Sequence, residues 1–306
     1  MSQEITALVD LGSNSVRFML VRLESGVGYR VLLDERAQTR LGSGRDETLP
    51  SEAITATVEA VSRFLGVTRR ESPHRLVAIA TAAVRDAANA HELLDRLRLE
   101  AGLEVEVLSA DEEARLGAMA ARASLQLRDA VVVDLGGCSL QISEIRHGEP
   151  ASLGSVPLGA VRTTQHFLES DPPTVTELDA LRHAVHLAAR ELLPPARDGE
   201  PLVGIGGTAR ALARLGERET RRGASRRLRM PRAGLEAMRM RLASLSLDQR
   251  RQFPGLKPTR ADVIVAGAVV LEELLRLGGY SGLLVAEHGV RHGVLLRETF
   301  ERVPHE

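Results

Sequence analysis

One ten-residue stretch of this chain occurs twice. "VDLGSNSVRF" at 9–18 and "VDLGGCSLQI" at 133–142 align without a gap, 124 positions apart. Asp10 falls on Asp134, Leu11 on Leu135, Gly12 on Gly136 and Ser15 on Ser139. Arg22 meets Arg146, and the apolar pairs Val16/Leu140, Phe18/Ile142 and Val21/Ile145 keep step. A single repeat of this length points to a duplicated domain, because solenoid units are far shorter. The 306 residues suffice for two domains of ordinary size, each with its own core.

The pattern around each copy is similar. Strands are expected at 5–12, 16–24 and 28–41, the first so continuously apolar that it belongs at the centre of a sheet. A helix follows at about 51–68 behind Pro50, with Ser51 as N-cap, then a strand at 75–81, a helix at 87–100 and a strand at 104–109. The next helix opens at "SADEEARLGAMAARA", where Ser109, Glu112 and Glu113 form a capping-box region. The second half repeats the plan, with strands near 130–136, 140–146 and 151–157, helices near 160–168 and 174–193, and a strand at 201–207. More helices follow, the longest at about 259–278, then a strand at 282–289 and a helix at 290–302. This is an α/β layout with a mixed sheet in each half. The expected domains are 1–122 and 123–306, with the closing helix near 290–306 free to pack back on the first. No low-complexity linker intervenes, so the hinge is expected near 117–130.

Apolar residues make up 43% of the chain, charged residues 26% and aromatics 2%, so the cores must be built from Leu, Val, Ile and Ala. The net charge of −1 gives no global attraction to nucleic acid or to an anionic membrane, and any anion site has to be local. Lys257 is the only lysine among 40 basic residues. Guanidinium forks suit bidentate phosphate contacts, although genomic base composition produces the same bias. Cys138 is the only cysteine, which excludes an intrachain disulfide framework. No signal-like segment and no membrane-length apolar run is present, so a cytoplasmic protein is expected. The run "RRGASRRLR" at 221–229 reads as a solvated loop or as the lining of a polyanion channel; no aromatic residue interleaves it for base stacking.

A strand that ends in Asp and turns through Gly, Ser and Asn can aim backbone amides, hydroxyls and an amide side chain at one anion. The aspartate would repel a bare phosphate. Its place there is explained if it holds a divalent cation such as Mg²⁺, which takes one or two carboxylates plus phosphate oxygens. A third glycine turn, "GIGGTARALA" at 204–213, opens a helix after an apolar strand, and helix N-terminal amides bind phosphate. Its spacing fits neither the dinucleotide fingerprint nor the lysine-containing P-loop. His288 and His292 make an i, i+4 pair that lacks an obvious third metal ligand.

Together "VDLGSNSVRF", "ATAAVRDAANA", "LSADEEARL", "VDLGGCSLQ", "GIGGTARALA", "PGLKPTRADVIVAGA" and "EHGVRHGVL" resemble, in order and spacing, the exopolyphosphatase/guanosine pentaphosphate phosphohydrolase family. That family belongs to the actin, sugar-kinase and heat-shock chaperone ATPase superfamily. The resemblance covers essentially the whole chain, without the helical extension of the longer members. It implies two actin-like, ribonuclease H-like domains with the active-site cleft between them. Glu113 matches the catalytic glutamate that would take a proton from the attacking water. Glu112 and Asp111 beside it read as acids on the helix dipole. Asp10 and Asp134 match the acids that organise Mg²⁺, or another divalent cation, and the water. Gly12, Ser13, Asn14, Ser15, Gly136, Gly137, Cys138 and Ser139, with Gly206, Gly207 and Thr208 of the third turn, would hold phosphates. Arg17 and Arg260 match phosphate-clamping arginines, and Arg85 a further basic position.

The chain departs from the family pattern. Its second loop carries Cys138, Leu140 and Gln141 where the family usually has Gly, Thr and Glu, and His292 stands where the family has Glu. Gln141 keeps an acceptor but loses the charge, so it is expected to ligate a cation only weakly. Cys138 reads as a small filler with no base to activate it. The resemblance implies Mg²⁺-dependent removal of terminal phosphate from inorganic polyphosphate, with guanosine pentaphosphate as the alternative substrate. Closure of the two domains would bring the catalytic acid onto the bound phosphate. It allows a homodimer and calls for no nucleic acid or membrane partner. A sensor that binds these phosphates without hydrolysing them is the reading from another class. Gln141 motivates it; Glu113 and the two aspartates argue against it. A kinase would need a nucleotide pocket that these residues do not identify.

Overall fold

The computed structural model describes residues 4–24, 28–44, 47–71, 73–197, 200–220 and 228–300. The arginine run of 221–229 therefore lies outside the described residues, apart from Leu228 and Arg229. The chain divides into two compact units, one of residues up to Ala110 together with those from Val294, the other Asp111–Gly293.

The first unit is built on β1 (Ile5–Leu11), β2 (Val16–Glu24), β3 (Gly28–Ala37), β4 (Arg75–Ala80) and β5 (Glu106–Val107). Their order in the sheet is β3-β2-β1-β4-β5. β2 lies antiparallel to both β1 and β3, whereas β4 runs parallel to β1 and β5. The central position of β1 explains its unbroken apolar run, since Ala7, Leu8, Val9 and Leu11 are all fully buried. α1 (Ser51–Glu71) stacks Phe64 on Phe18 of β2, ring centroids 5.3 Å apart. α2 (Ala82–Arg85) and α3 (Ala90–Ala101) follow β4.

The second unit holds α4 (Ala110–Leu125) from Asp111 onward, β6 (Ala130–Leu135), β7 (Leu140–Arg146), β8 (Glu149–Val156), α5 (Ala160–Phe167), α6 (Val175–Ala189) and β9 (Leu202–Ile205). α7 (Gly207–Thr220), β10 (Leu228–Pro231), α8 (Arg232–Ala243), α9 (Leu247–Arg251), α10 (Ile264–Gly278) and β11 (Gly282–Val285) complete it. α11 (Val290–Phe300) starts here and passes to the first unit at Val294. The sheet order β10-β11-β9-β6-β7-β8 contains the order of the first sheet, with β10 added antiparallel at the edge. Two mixed sheets flanked by helices are thus the fold, as the repeat implied.

The second sheet is buried on both faces. Val131, Val133, Leu140 and Ile142 pack into a cluster with Leu181 of α6, Leu212 of α7 and Val269 of α10. On the other face Ala130, Val132, Val203 and Ile205 meet Ala118, Ala121 and Leu125 of α4. The small side chains of α4 let the helix lie close to the sheet, so its first turns reach the C-terminal end of β6. Among the described residues no helix is long and apolar enough to cross a membrane.

Several expected boundaries move. The helix foreseen at 87–100 starts at Ala90, behind the separate short α2. The strand foreseen at 104–109 shrinks to two residues that pair only with Ile79 and Ala80. The helix foreseen from 259 begins at Ile264, because Pro258–Arg260 form a 3₁₀ turn first. Ser51 is the first helical residue rather than the cap, and the Ile54 amide donates to the Pro50 carbonyl at 2.9 Å.

Candidate functional site

The two copies of the repeat share their strand register and the bonds to two equivalent loop carbonyls. Opposite residues on antiparallel strands share a face, so the register pairs Asp10 with Arg17 and Asp134 with Gln141 at the same place in each unit. After the first aspartate, the Gly42 amide donates to the Ser13 carbonyl at 2.7 Å and the Arg40 amide to that of Asn14 at 3.2 Å. After the second, Val161 donates to Gly137 at 2.8 Å and Gly159 to Cys138 at 3.1 Å. Ala160 adds a bond to Gly136 at 2.9 Å and Arg162 one to Gly137 at 3.1 Å. A planar trans peptide points its C=O and N–H in opposite directions. Drawing the loop carbonyls of 136–138 onto the start of α5 therefore turns the amides of Gly137, Cys138 and Ser139 to the opposite side. The first loop is drawn back in the same way, which turns the amides of Asn14 and Ser15. Each loop becomes a short row of donors, the geometry an anion requires.

Gly159 makes this possible. A Cβ there would sit 2.3 Å from the Cys138 nitrogen and from the carbonyl carbon and oxygen of Gly137. Cys138 itself is buried, as expected for a filler.

Asp134 stands between two glycines. A Cβ on Gly206, whose φ of +93° no other residue type adopts easily, would lie 3.0 Å from Asp134 Oδ1; one on Gly117 would lie 3.6 Å from Oδ2 and 2.9 Å from Ile205 Cδ1. Gly117 is thus where α4 touches the end of the sheet. Glu113 precedes it by four residues and shares its helix face. Glu113 is 6% exposed, whereas Asp111 and Glu112 are exposed. The start of α4 is also pinned by Ser143 of β7, whose Oγ donates to the Ala114 carbonyl at 3.1 Å. At the third glycine turn the Arg260 guanidinium lies on Gly207, where a Cβ would meet Nη2 at 1.9 Å. Thr208 is buried with its methyl against Gly267.

The second unit therefore brings together Glu113, Asp134, the 136–139 loop, Gly206, Gly207 and Arg260. The first unit holds Asp10, Gly12, Ser13, Asn14, Ser15, Arg17 and Arg85. Arg17 Nη1 lies 3.5 Å from Asp34 Oδ1. Arg85 donates to the Leu108 carbonyl at 3.0 Å and pairs with Asp86 at 3.3 Å. Reading the sequence missed Gly117, Ser143 and Gly159. Each acts through a neighbour in space, and only the glycines left a trace, as small residues in otherwise ordinary runs.

Gln141 is 1% exposed; its Nε2 donates to Ser139 Oγ at 2.6 Å, and its Oε1 is buried without a hydrogen-bond partner. An orphaned oxygen on the same face as a carboxylate suits a hard cation that takes oxygen ligands. Among the described residues no three His, Cys, Asp or Glu side chains gather as a metal cage. The fit is to a cation completed by phosphate and water, as Mg²⁺ prefers. The His288 and His292 rings stack face to face, centroids 4.2 Å apart. Burial first, then His288, Arg291 and Arg210 nearby, push His292 down to about 3. Its Nδ1 accepts the Gly289 amide at 3.3 Å, and the two rings form a packed stack.

Comparison with known proteins identifies the family and the fold. The model of the Ppx/GppA phosphatase family matches residues 20–301. Exopolyphosphatase 2 of Mycobacterium tuberculosis is 34% identical over 315 residues, covering 95% of this chain and 97% of that protein. Exopolyphosphatase 1 of Mycobacterium leprae is 28% identical over 299 residues, with coverage of 95% and 88%. Among solved structures, the Aquifex aeolicus member of the Ppx/GppA protein family superposes with a TM-score of 0.82 at 26% identity, covering 99% of each chain. An exopolyphosphatase from Cytophaga hutchinsonii shares the fold, with a TM-score of 0.88 at 20% identity and coverage of 97% and 98%.

Proposed function

The chain belongs to the Ppx/GppA phosphatase family, hydrolases of phosphoanhydride bonds, and from that premise we propose that it is an exopolyphosphatase that removes terminal phosphate from inorganic polyphosphate. The observation that carries the mechanism is the burial of Glu113 on the face of α4 that Gly117 presses against Asp134. A carboxylate so placed acts as general base, taking the proton from a water that attacks the terminal phosphorus while the bond to the bridging oxygen breaks. The amides of 137–139 and the start of α7 at Gly207 receive the negative phosphate oxygens. Arg260 adds a fixed guanidinium charge at the same helix start. Asp10 and its turn, with Arg17 and Arg85, serve phosphate in the first unit. Phosphoryl transfer asks mainly for such positioning and neutralisation.

In the second unit Asp134 and the Gln141 Oε1 are the oxygens that would hold Mg²⁺, which when bound neutralises phosphate charge and polarises the anhydride; in the first unit Asp10 is the acid suited to the same ion. Because Gln141 is neutral, the affinity for the cation is lower than a carboxylate there would give.

The test is phosphate release from long-chain polyphosphate and, in parallel, from guanosine pentaphosphate, each with Mg²⁺ and with chelator. Preferred release from polyphosphate, abolished by chelator, is expected. Preference for guanosine pentaphosphate would reassign the substrate. Tight binding of polyphosphate without release from either would replace the hydrolase with a sensor.

A further inference from the structure

The phosphate-binding loops follow the C-terminal ends of β6 and β9. At the opposite end of the same sheet, roughly 10 Å or more away along β9 at the usual rise per residue, lies a cavity that hydrolysis does not use. It measures about 830 Å³ and opens beside the start of β9, the start of β11 and the edge strand β10. That volume is in the range of small-molecule sites.

Its lining divides into two kinds. Pro201 and Pro231, backed by the buried Met230 and Leu283, give an apolar wall, and Arg197 and Arg229 stand at the rim. Both arginines are exposed, and neither makes an ion pair or a side-chain hydrogen bond among the described residues. Glu200 also lines the cavity; its Oε1 is paired with Arg146, while its Oε2 is buried without a hydrogen-bond partner. Tyr280 donates its hydroxyl to the Pro194 carbonyl at 2.9 Å, and burial pushes that phenol up to about 12, so it offers a ring and no charge. Ser281 adds an exposed hydroxyl. Among the described residues the rim thus carries two guanidinium forks without an ion-pair partner, set over an apolar wall. Forks of this kind bind phosphate oxygens bidentately, and the wall gives a ligand's carbon body a place to leave water.

We propose that this cavity is a second ligand site, binding an organic phosphate through Arg197 and Arg229 with its apolar portion against Pro201 and Pro231. The site is independent of the hydrolytic loops, and the assignment does not depend on which phosphoanhydride those loops cleave. An inorganic oligophosphate shares the anionic half of this chemistry but has nothing to lay on the wall.

The experiment is isothermal titration of the intact protein with ADP, and separately with inorganic pyrophosphate, in the presence of chelator. It is run on the native chain, on the double variant Arg197→Ala/Arg229→Ala and on Arg260→Ala. ADP is expected to saturate one site and to bind about tenfold more tightly than pyrophosphate, the difference being apolar burial. The double variant should weaken ADP about a hundredfold, roughly tenfold for each charge-assisted contact, while its polyphosphate hydrolysis in the absence of ADP stays at the native rate. Arg260→Ala should leave ADP binding unchanged. Absence of ADP binding overturns the proposal. So does ADP binding that falls in Arg260→Ala but persists in the double variant. Pyrophosphate binding as tight as ADP overturns the assignment of an organic ligand.

Discussion

Replacing Gly159 with alanine tests how the second loop is held. The new methyl carbon would begin 2.3 Å from three backbone atoms of Gly137 and Cys138, and backbone cannot swing aside as a flexible side chain can. Normal contact needs about 1 Å more separation, and the whole loop must move to give it. Four bonds of 2.8–3.1 Å tie that loop to residues 159–162. Lengthened by about 1 Å they cease to be hydrogen bonds. At about 1 kcal/mol net each, partly recovered by relaxation, the loss of stability is about 2–3 kcal/mol. The amides of Gly137 and Ser139 move with the loop, and an ångström of misplacement lowers catalysis about 10²-fold. The assay is kcat/KM for phosphate release beside chemical denaturation. Gly66→Ala is the control: no atom lies within 4 Å of its Cβ, it is exposed within α1, and it should gain about 0.5–1 kcal/mol with unchanged kinetics. Gly159→Ala with both stability and kcat/KM within twofold of native would refute the idea that α5 sets the loop.

Other outcomes follow from single contacts. Ser143→Ala removes the bond to the Ala114 carbonyl and should cost about 1 kcal/mol, measured by denaturant titration, with a fall in kcat as the first turn of α4 loosens. His292 has a folded pKa near 3 against an ordinary 6.5, so the unfolded chain binds the proton more readily between these values. Its contribution to stability is complete above about pH 6.5 and is lost as pH falls toward 3, by at most about 1.4 kcal/mol per unit. Denaturation at pH 7 and pH 5 should show that slope in the native chain and a shallower one in His292→Gln.

Much of the fold was legible because its strongest signal was redundant. Asp10 and Asp134 each end a strand beside a turn, and the shared register and the bonds to the Ser13/Gly137 and Asn14/Cys138 carbonyls make the two turns alike. Local patterns failed where tertiary contacts decide. "EVEVLS" alternates like a strand, yet its pairing with β4 is confined to Glu106, Val107 and the Leu108 amide. Pro258 fixes a 3₁₀ turn ahead of α10 where periodicity alone extends the helix. At the site, the loop residues could be named from sequence, but the supports could not. Gly117 and Gly159 matter because a helix or a loop comes within bonding distance of them, and Ser143 because α4 crosses β7 there.

On the proposed mechanism Glu113, and not its acidic neighbours, takes the proton from the attacking water. The direct measurement is kcat for phosphate release from polyphosphate by Glu113→Gln and Glu112→Gln, alongside the affinity of each for the substrate. Glu113 is buried against the end of the sheet and Glu112 is exposed on the same turn. A loss of about 10²–10⁴ in kcat is expected for Glu113→Gln with binding retained, and a change within about threefold for Glu112→Gln. Equal losses in both variants, or full activity in Glu113→Gln, would contradict it.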